Sequence, residues 1–303
     1  MPNATLQAGT GSITAQGHYT PATHALEGQA TLRALRPDTL HTLLAAAPLS
    51  GRVTAQTQGE AVRFSADVWA DTGTAARAAA TKTPAAAGAP LRINTVSTQG
   101  TWQAADGGTV RLDRLLLDAL QARVEATGLQ VALGTQSAQG KVTLAVPGAT
   151  AQAQGTLAPR SGAGDLQLQW ADAALTQRWL AGLPVVGTSV QRTLQGASAQ
   201  GAAQIAARWK GGWQTLTEQL QTTTANSAPA RNPDRFDLQA TLNTPQLDLT
   251  LPATTNASGG TSAGQALQLR AFKAELGGNL EQASLALTGE VRTPAPQALS
   301  LIH

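Results

Sequence analysis

Apolar and polar residues alternate strictly along much of this chain, and that period of two limits what it can fold into. Val62, Phe64, Ala66 and Val68 interleave with Arg63, Ser65 and Asp67. Leu166, Leu168 and Trp170 interleave with Gln167 and Gln169, and Leu238, Ala240 and Leu242 with Gln239 and Thr241. Leu247, Leu249 and Leu251 repeat the pattern, as do Leu267–Ala271 and Leu285–Val291. Alternation over five to eight residues describes a strand with one apolar face and one polar face. Strands buried on both faces read instead as continuous apolar runs. The sequence therefore predicts an all-β fold in which one face of the sheet meets water.

Glycines such as Gly17, Gly59, Gly128 and Gly155 punctuate the pattern at short intervals, as a meander of hairpins requires. About eighteen strands at ~4.8 Å spacing would form a ladder roughly 80–90 Å long, and a sheet of that length is expected to curl. The architecture expected is an elongated, curled, antiparallel or mixed sheet, a taco-like open groove with one to three short helices. Two of these helices open on Asp and close on Pro, at 38–47 and 172–183. Their similarity is a weak internal repeat. The passage from Leu112 to Val124 has apolar residues at nearly helical spacing, but its flanks favour two strands.

Low-complexity stretches divide the chain. A β segment, 1–70, precedes an Ala/Pro/Thr-rich loop, 71–90. A central β segment, 91–221, precedes a second loop, 222–235. A last β segment, 236–303, breaks off inside a strand, and both ends of the chain read as cut. Pro252 to Gly264 is a third low-complexity stretch.

Composition excludes several functions. Charged residues are 13% of 303, about half the usual share, and the net charge is +3. Lysines and arginines are dispersed singly, so no basic face for nucleic acid is expected despite a pI near 9.8. The absence of cysteine removes disulfides and thiolate metal sites. His18, His24, His41 and His303 lack metal-ligand spacing and carboxylate companions, and His303 reads as a remnant of cloning. No nucleophile elbow or phosphate loop occurs, and no pair of carboxylates is marked for acid–base work. The chain is expected to be no enzyme, with no metal and no cofactor. The tryptophans, including Trp170, Trp179, Trp209 and Trp213, read as plugs at the ends of an apolar face rather than as a sugar-stacking surface.

Three passages resemble the TamB family of AsmA-like envelope proteins. They are Leu144-Ala-Val-Pro-Gly-Ala-Thr with Gln154-Gly155, Gly162-Ala-Gly-Asp-Leu-Gln-Leu-Gln-Trp running into Arg178-Trp-Leu-Ala-Gly-Leu-Pro184, and Ala207-Arg-Trp-Lys-Gly-Gly-Trp-Gln214. The resemblance covers about residues 90 to 290. It implies a periplasmic segment of a longer protein anchored in the inner membrane, with an apolar groove for phospholipid acyl chains and a role in outer-membrane protein assembly. It also implies a TamA-like outer-membrane barrel as partner of the full-length protein. Neither the anchor nor a barrel-binding terminus is recognisable here, so contact with the barrel is not expected of this segment alone.

The residues expected to line the groove share strand parity: Val62, Phe64, Ala66, Val68, Leu166, Leu168, Leu238, Leu242, Leu249, Leu269 and Leu287. Competing readings are a chaperone-like scaffold that pairs its edge with outer-membrane protein strands, and a passive β-solenoid or adhesin stalk. A porin-like barrel is disfavoured by the lack of aromatic girdles.

One expectation is testable without a structure. Limited proteolysis should cut first within 71–90 and 222–234, where anchoring apolar residues are missing. Early cleavage between Phe236 and Leu251 would show the strands to be misplaced.

Overall fold

A computed structural model describes residues 3–8, 11–23, 25–39, 44–45, 47–71, 92–183, 194, 196–216, 236–251, 254–255, 261–262, 265–279 and 282–293. In chain order the strands are β1 (Asn3–Ala8), β2 (Gly11–Thr20), β3 (Ala25–Leu35), β4 (Leu49–Gln58), β5 (Ala61–Ala70), β6 (Ile93–Gln103), β7 (Thr109–Ala119), β8 (Ala122–Ala132) and β9 (Ser137–Val146). They continue with β10 (Ala149–Leu157), β11 (Gly162–Trp170), β12 (Ser198–Lys210), β13 (Asp237–Leu251), β14 (Thr254–Thr255), β15 (Thr261–Ser262), β16 (Gln265–Gly278) and β17 (Ala283–Arg292). Helix α1 (Ala173–Ala181) lies between β11 and β12.

Fifteen strands form one sheet whose spatial order is the chain order, with only the β14–β15 pair outside it. Strand accounts for 74% of the described residues. Every pairing is antiparallel, so the sheet is not mixed. Short hairpins allow this, because antiparallel neighbours need only a tight turn. At ~4.8 Å per step the ladder is roughly 65–70 Å long.

The sheet is open and uncurled, which corrects the taco-like expectation. The side chains give the reason. Two layers pack ~10 Å apart, and on the apolar face the leucines are interrupted by so many Ala and Gly, as at Ala149, Ala151, Ala153, Gly155, Gly162 and Gly164, that the gap would stay partly empty. Among the described residues only eight apolar side chains are buried, four Leu and four Ala (Leu35, Leu49, Leu247, Leu269, Ala126, Ala149, Ala173, Ala203). A second layer would have little to pack against.

The low-complexity stretches do not divide the sheet. β5 pairs with β6 across 71–92, and β12 pairs with β13 across 211–236. The three sequence segments are therefore one ladder. Residues 72–91, 217–235 and 294–303 lie outside those described, as do His24, His41 and His303.

The two expected helices fare differently. Asp172 caps α1: its carboxylate accepts the Leu175 N–H at 3.1 Å. The expected helix at 38–47 does not form through its length. Pro37–Thr39 is a single 3-10 turn, and Leu44 sits in a β-bridge. Arg36 holds the Asp38 carboxylate from two nitrogens, at 3.2 and 2.7 Å, and so competes for the oxygen atoms that would cap a helix.

The ambiguous passage from Leu112 to Val124 is the hairpin β7–β8. Its near-helical spacing comes from an irregular rung. The register slips between Gln99 and Gly100 on β6, leaving Asp113 extra on β7, and slips again beside Gly128 on β8, where φ is +60°. An extra residue changes strand parity, so Leu112, Leu115 and Leu117 all reach the same face. Pro245 on β13 and Ala271 on β16 do the same farther along. Proline suits that position because a bulge needs no ladder N–H.

Removing the α1 cap by Asp172→Ala should lower stability by about 1 kcal/mol. Urea unfolding should show a lower midpoint with an unchanged slope.

Candidate functional site

Residues directly opposite in antiparallel strands project to the same side. Following the register from strand to strand therefore assigns each side chain to a face. From Val62, Phe64, Ala66 and Val68 the rungs run through Trp102, Gly100, Thr98 and Val96 to Val110, Leu112, Leu115 and Leu117. They continue through β8 and β9 to Ala149, Ala151 and Ala153, and then to Trp170, Leu168 and Leu166. Ile205, Leu242, Ala274 and Leu287 carry one row to the last strand, and Ala199, Leu249 and Leu267 lie in another.

All eleven residues singled out from the sequence lie on this one face. Most are half-buried. Leu269 is buried, and Leu287, on the edge strand, is 59% exposed. The register brings them onto a shared surface but not into a trough, because the sheet does not curl.

The register places no charged residue on this face anywhere between β1 and β17; Thr57, Thr98 and Thr244 are the polar side chains described there. The charges of the described strands are on the opposite face, where they pair along a strand, as Arg123 with Glu125 at 2.6 Å, and across strands. Ser97 Oγ donates to Asp67 at 2.6 Å, and Thr54 and Ser65 hydroxyls meet at 2.7 Å. Gln139 donates to Gln130 at 3.0 Å, Arg208 meets Asp165 at 3.3 Å, and Arg270 meets Asp248 at 3.7 Å. Each such pair contributes only ~0.2–1 kcal/mol. Together they occupy the polar side chains on their own side of the sheet.

The apolar face has two unlike ends. At one end Leu35, Leu49, Ala149, Ala203, Leu247 and Leu269 are buried, and α1 is seated across it. Ala173 packs against Leu247 and Leu269, with Ala199, Leu249 and Phe272 around them. Thr176 Oγ1 donates to the Pro147 carbonyl at 2.9 Å, and Trp179 Nε1 donates to the Leu120 carbonyl at 2.7 Å. Gln177 donates to the Leu194 and Ala197 carbonyls and accepts from the Ala199 N–H at 2.8 Å. At the other end large apolar side chains stay in water: Tyr19, Leu26, Trp102, Leu157 and Leu276.

The tryptophans divide between these settings. Trp209 lies over Gly164, so closely that a Cβ there would stand 2.3 Å from its ring, and Trp179 ties α1 to the β7–β8 turn. Trp102 is exposed on the apolar face, and Trp69 is exposed on the polar one.

Sequence reasoning missed Leu115, Leu117, Val124, Ile205 and Phe272 on this face. For Leu115, Leu117 and Phe272 the alternation is broken by bulges, and the broken period was the only signal available. Among the described residues no group of three His, Cys, Asp or Glu could hold a metal ion, and no helix is long and apolar enough to cross a membrane.

The chain matches no family model, no curated protein and no solved structure.

Proposed function

We propose that this chain is a segment of a TamB-like, periplasm-spanning protein whose apolar face carries phospholipid acyl chains between the inner and outer membranes. The observation that supports this most is the uncharged face. It runs the width of fifteen strands, its strands place no described charge on it, and the large apolar side chains at its far end stay in water. In this reading the full-length protein is anchored in the inner membrane, works with a TamA-like barrel and has a role in outer-membrane protein assembly. No chemical step is involved.

The energetics suit passage rather than storage. A sixteen-carbon chain in water carries an apolar penalty on the order of 10 kcal/mol, at ~0.8 per methylene. An open face shields one side of the chain, roughly half of that. A chain so held is retained weakly at every point and can slide, with its headgroup in water. A stalk or solenoid fits less well, because it calls for a packed interior that eight buried apolar residues do not make.

The edge supports a second reading. All ten residues of β17 are exposed, and its outer edge has no partner among the described residues. Such an edge can accept a further strand, as a scaffold for outer-membrane protein strands would.

A charge on the face would have to be desolvated as a chain passes, at a cost of several kcal/mol. Leu168→Asp and Leu249→Arg should therefore fold yet block lipid passage in the parent protein. Photo-crosslinkers at Leu168 and Leu249 should capture phospholipid, and crosslinkers at Gln167, Gln239 or Asp248 should not. Equal capture from both faces, or full activity in both charge variants, would remove the lipid reading and leave the edge scaffold.

A further inference from the structure

Beside helix α1 a cavity of about 540 Å³ opens between the helix and the start of β12. That volume lies within the range of ligand sites. Its apolar walls include Ala174, Ala181 and Leu194, its polar ones Gln177, Ser198 and Gln200, and its cation is Arg178. Among the described residues no carboxylate lines it. The Arg178 Nε donates to the Ala174 carbonyl at 3.2 Å, which holds the guanidinium along the helix, and no described carboxylate pairs with it. Ala199 has two neighbourhoods: it lines the cavity, and it packs into the Ala173, Leu247 and Leu269 cluster on the apolar face. The cavity therefore borders the apolar face at that one small side chain.

We propose that this cavity receives the anionic headgroup of a single amphiphile, with Arg178 as its counter-charge, while the chain of that amphiphile runs past Ala199 onto the apolar face. The proposal rests on the acyl-chain reading of the face and adds a headgroup preference at the end where α1 sits. Three features favour an anionic amphiphile over a free anion or a neutral lipid. Among the described wall residues the one charged group is a cation with no carboxylate beside it. Ser198 and Gln200 stand in the same wall and can donate to the oxygen atoms of a headgroup. Beyond Ala199 lie the uncharged rungs of β12, β13 and β16. The guanidinium fork also suits a phosphate or carboxylate headgroup, because it can donate two parallel hydrogen bonds.

The experiment titrates the folded chain with dodecyl phosphate, with dodecyl maltoside and with inorganic phosphate, each by calorimetry at low ionic strength. The expected result is binding of dodecyl phosphate about fivefold tighter than of dodecyl maltoside, the size of one partly exposed ion pair, and no measurable binding of inorganic phosphate. Arg178→Gln should abolish that preference and keep binding of both amphiphiles, and Arg178→Lys should retain part of it. A preference that survives in Arg178→Gln overturns the assignment of Arg178. Inorganic phosphate binding as tightly as dodecyl phosphate overturns the amphiphile in favour of a simple anion site. Equal affinity of the wild-type chain for both amphiphiles overturns the headgroup site and leaves the apolar face standing. Binding of neither amphiphile overturns the apolar-face reading itself.

Discussion

The whole structure depends on the antiparallel backbone ladder and on its register. Little else holds it together among the described residues: apart from α1 none of them forms a second layer over the sheet, and few side chains are buried. Each strand satisfies its backbone groups on its two neighbours, and each side chain inherits its face from the rung on which it sits. Because side-chain direction alternates with period two, a slip of one residue would turn a strand's apolar residues to the polar side. The cross-strand pairs on the polar face, such as Ser97 with Asp67 and Arg208 with Asp165, oppose such a slip, because they meet in only one register.

Much of this was legible in the sequence. Val62 to Val68 and Leu166 to Trp170 are regular strands, and strict alternation alone gives their faces. Parity within a strand is local, so it could be read, without the pairing, that Val62, Leu168 and Leu249 each lie on the apolar side of their own strand; that those sides coincide needed the register. The sequence also marks helix α1, because Asp172 is an unencumbered cap. The matching signal at Asp38 misled, because Arg36 lies two residues away and engages the same carboxylate.

The rest depends on contacts that alternation does not encode. Bulges at Asp113, Pro245 and Ala271 shift the parity inside a strand, so the near-helical spacing of Leu112, Leu115 and Leu117 had two valid explanations. Phe236 to Leu242 and Leu247 to Leu251 look like separate strands in sequence and are one strand with an irregularity between them. The expectation of curl used ladder length and left out side-chain size. A long sheet curls when its halves can fill the space between them, and a face on which leucine is interleaved with so much Ala and Gly leaves that space partly empty. The cavity beside Arg178 had no sequence signature, since it forms only where α1 meets the start of β12.

The chain-order topology has a consequence for how such a molecule can change size. Each hairpin extends the ladder by two spacings, about 9.6 Å, and makes contact only with its immediate neighbours. A duplicated hairpin inserted at a turn would lengthen the sheet without disturbing the rungs elsewhere, and a deleted one would shorten it in the same unit. Growth of this kind demands one thing, an even number of strands, so that the direction of the chain and the chemistry of each face are both preserved. Length in this architecture is thus a countable quantity, adjustable in steps while the surface stays the same.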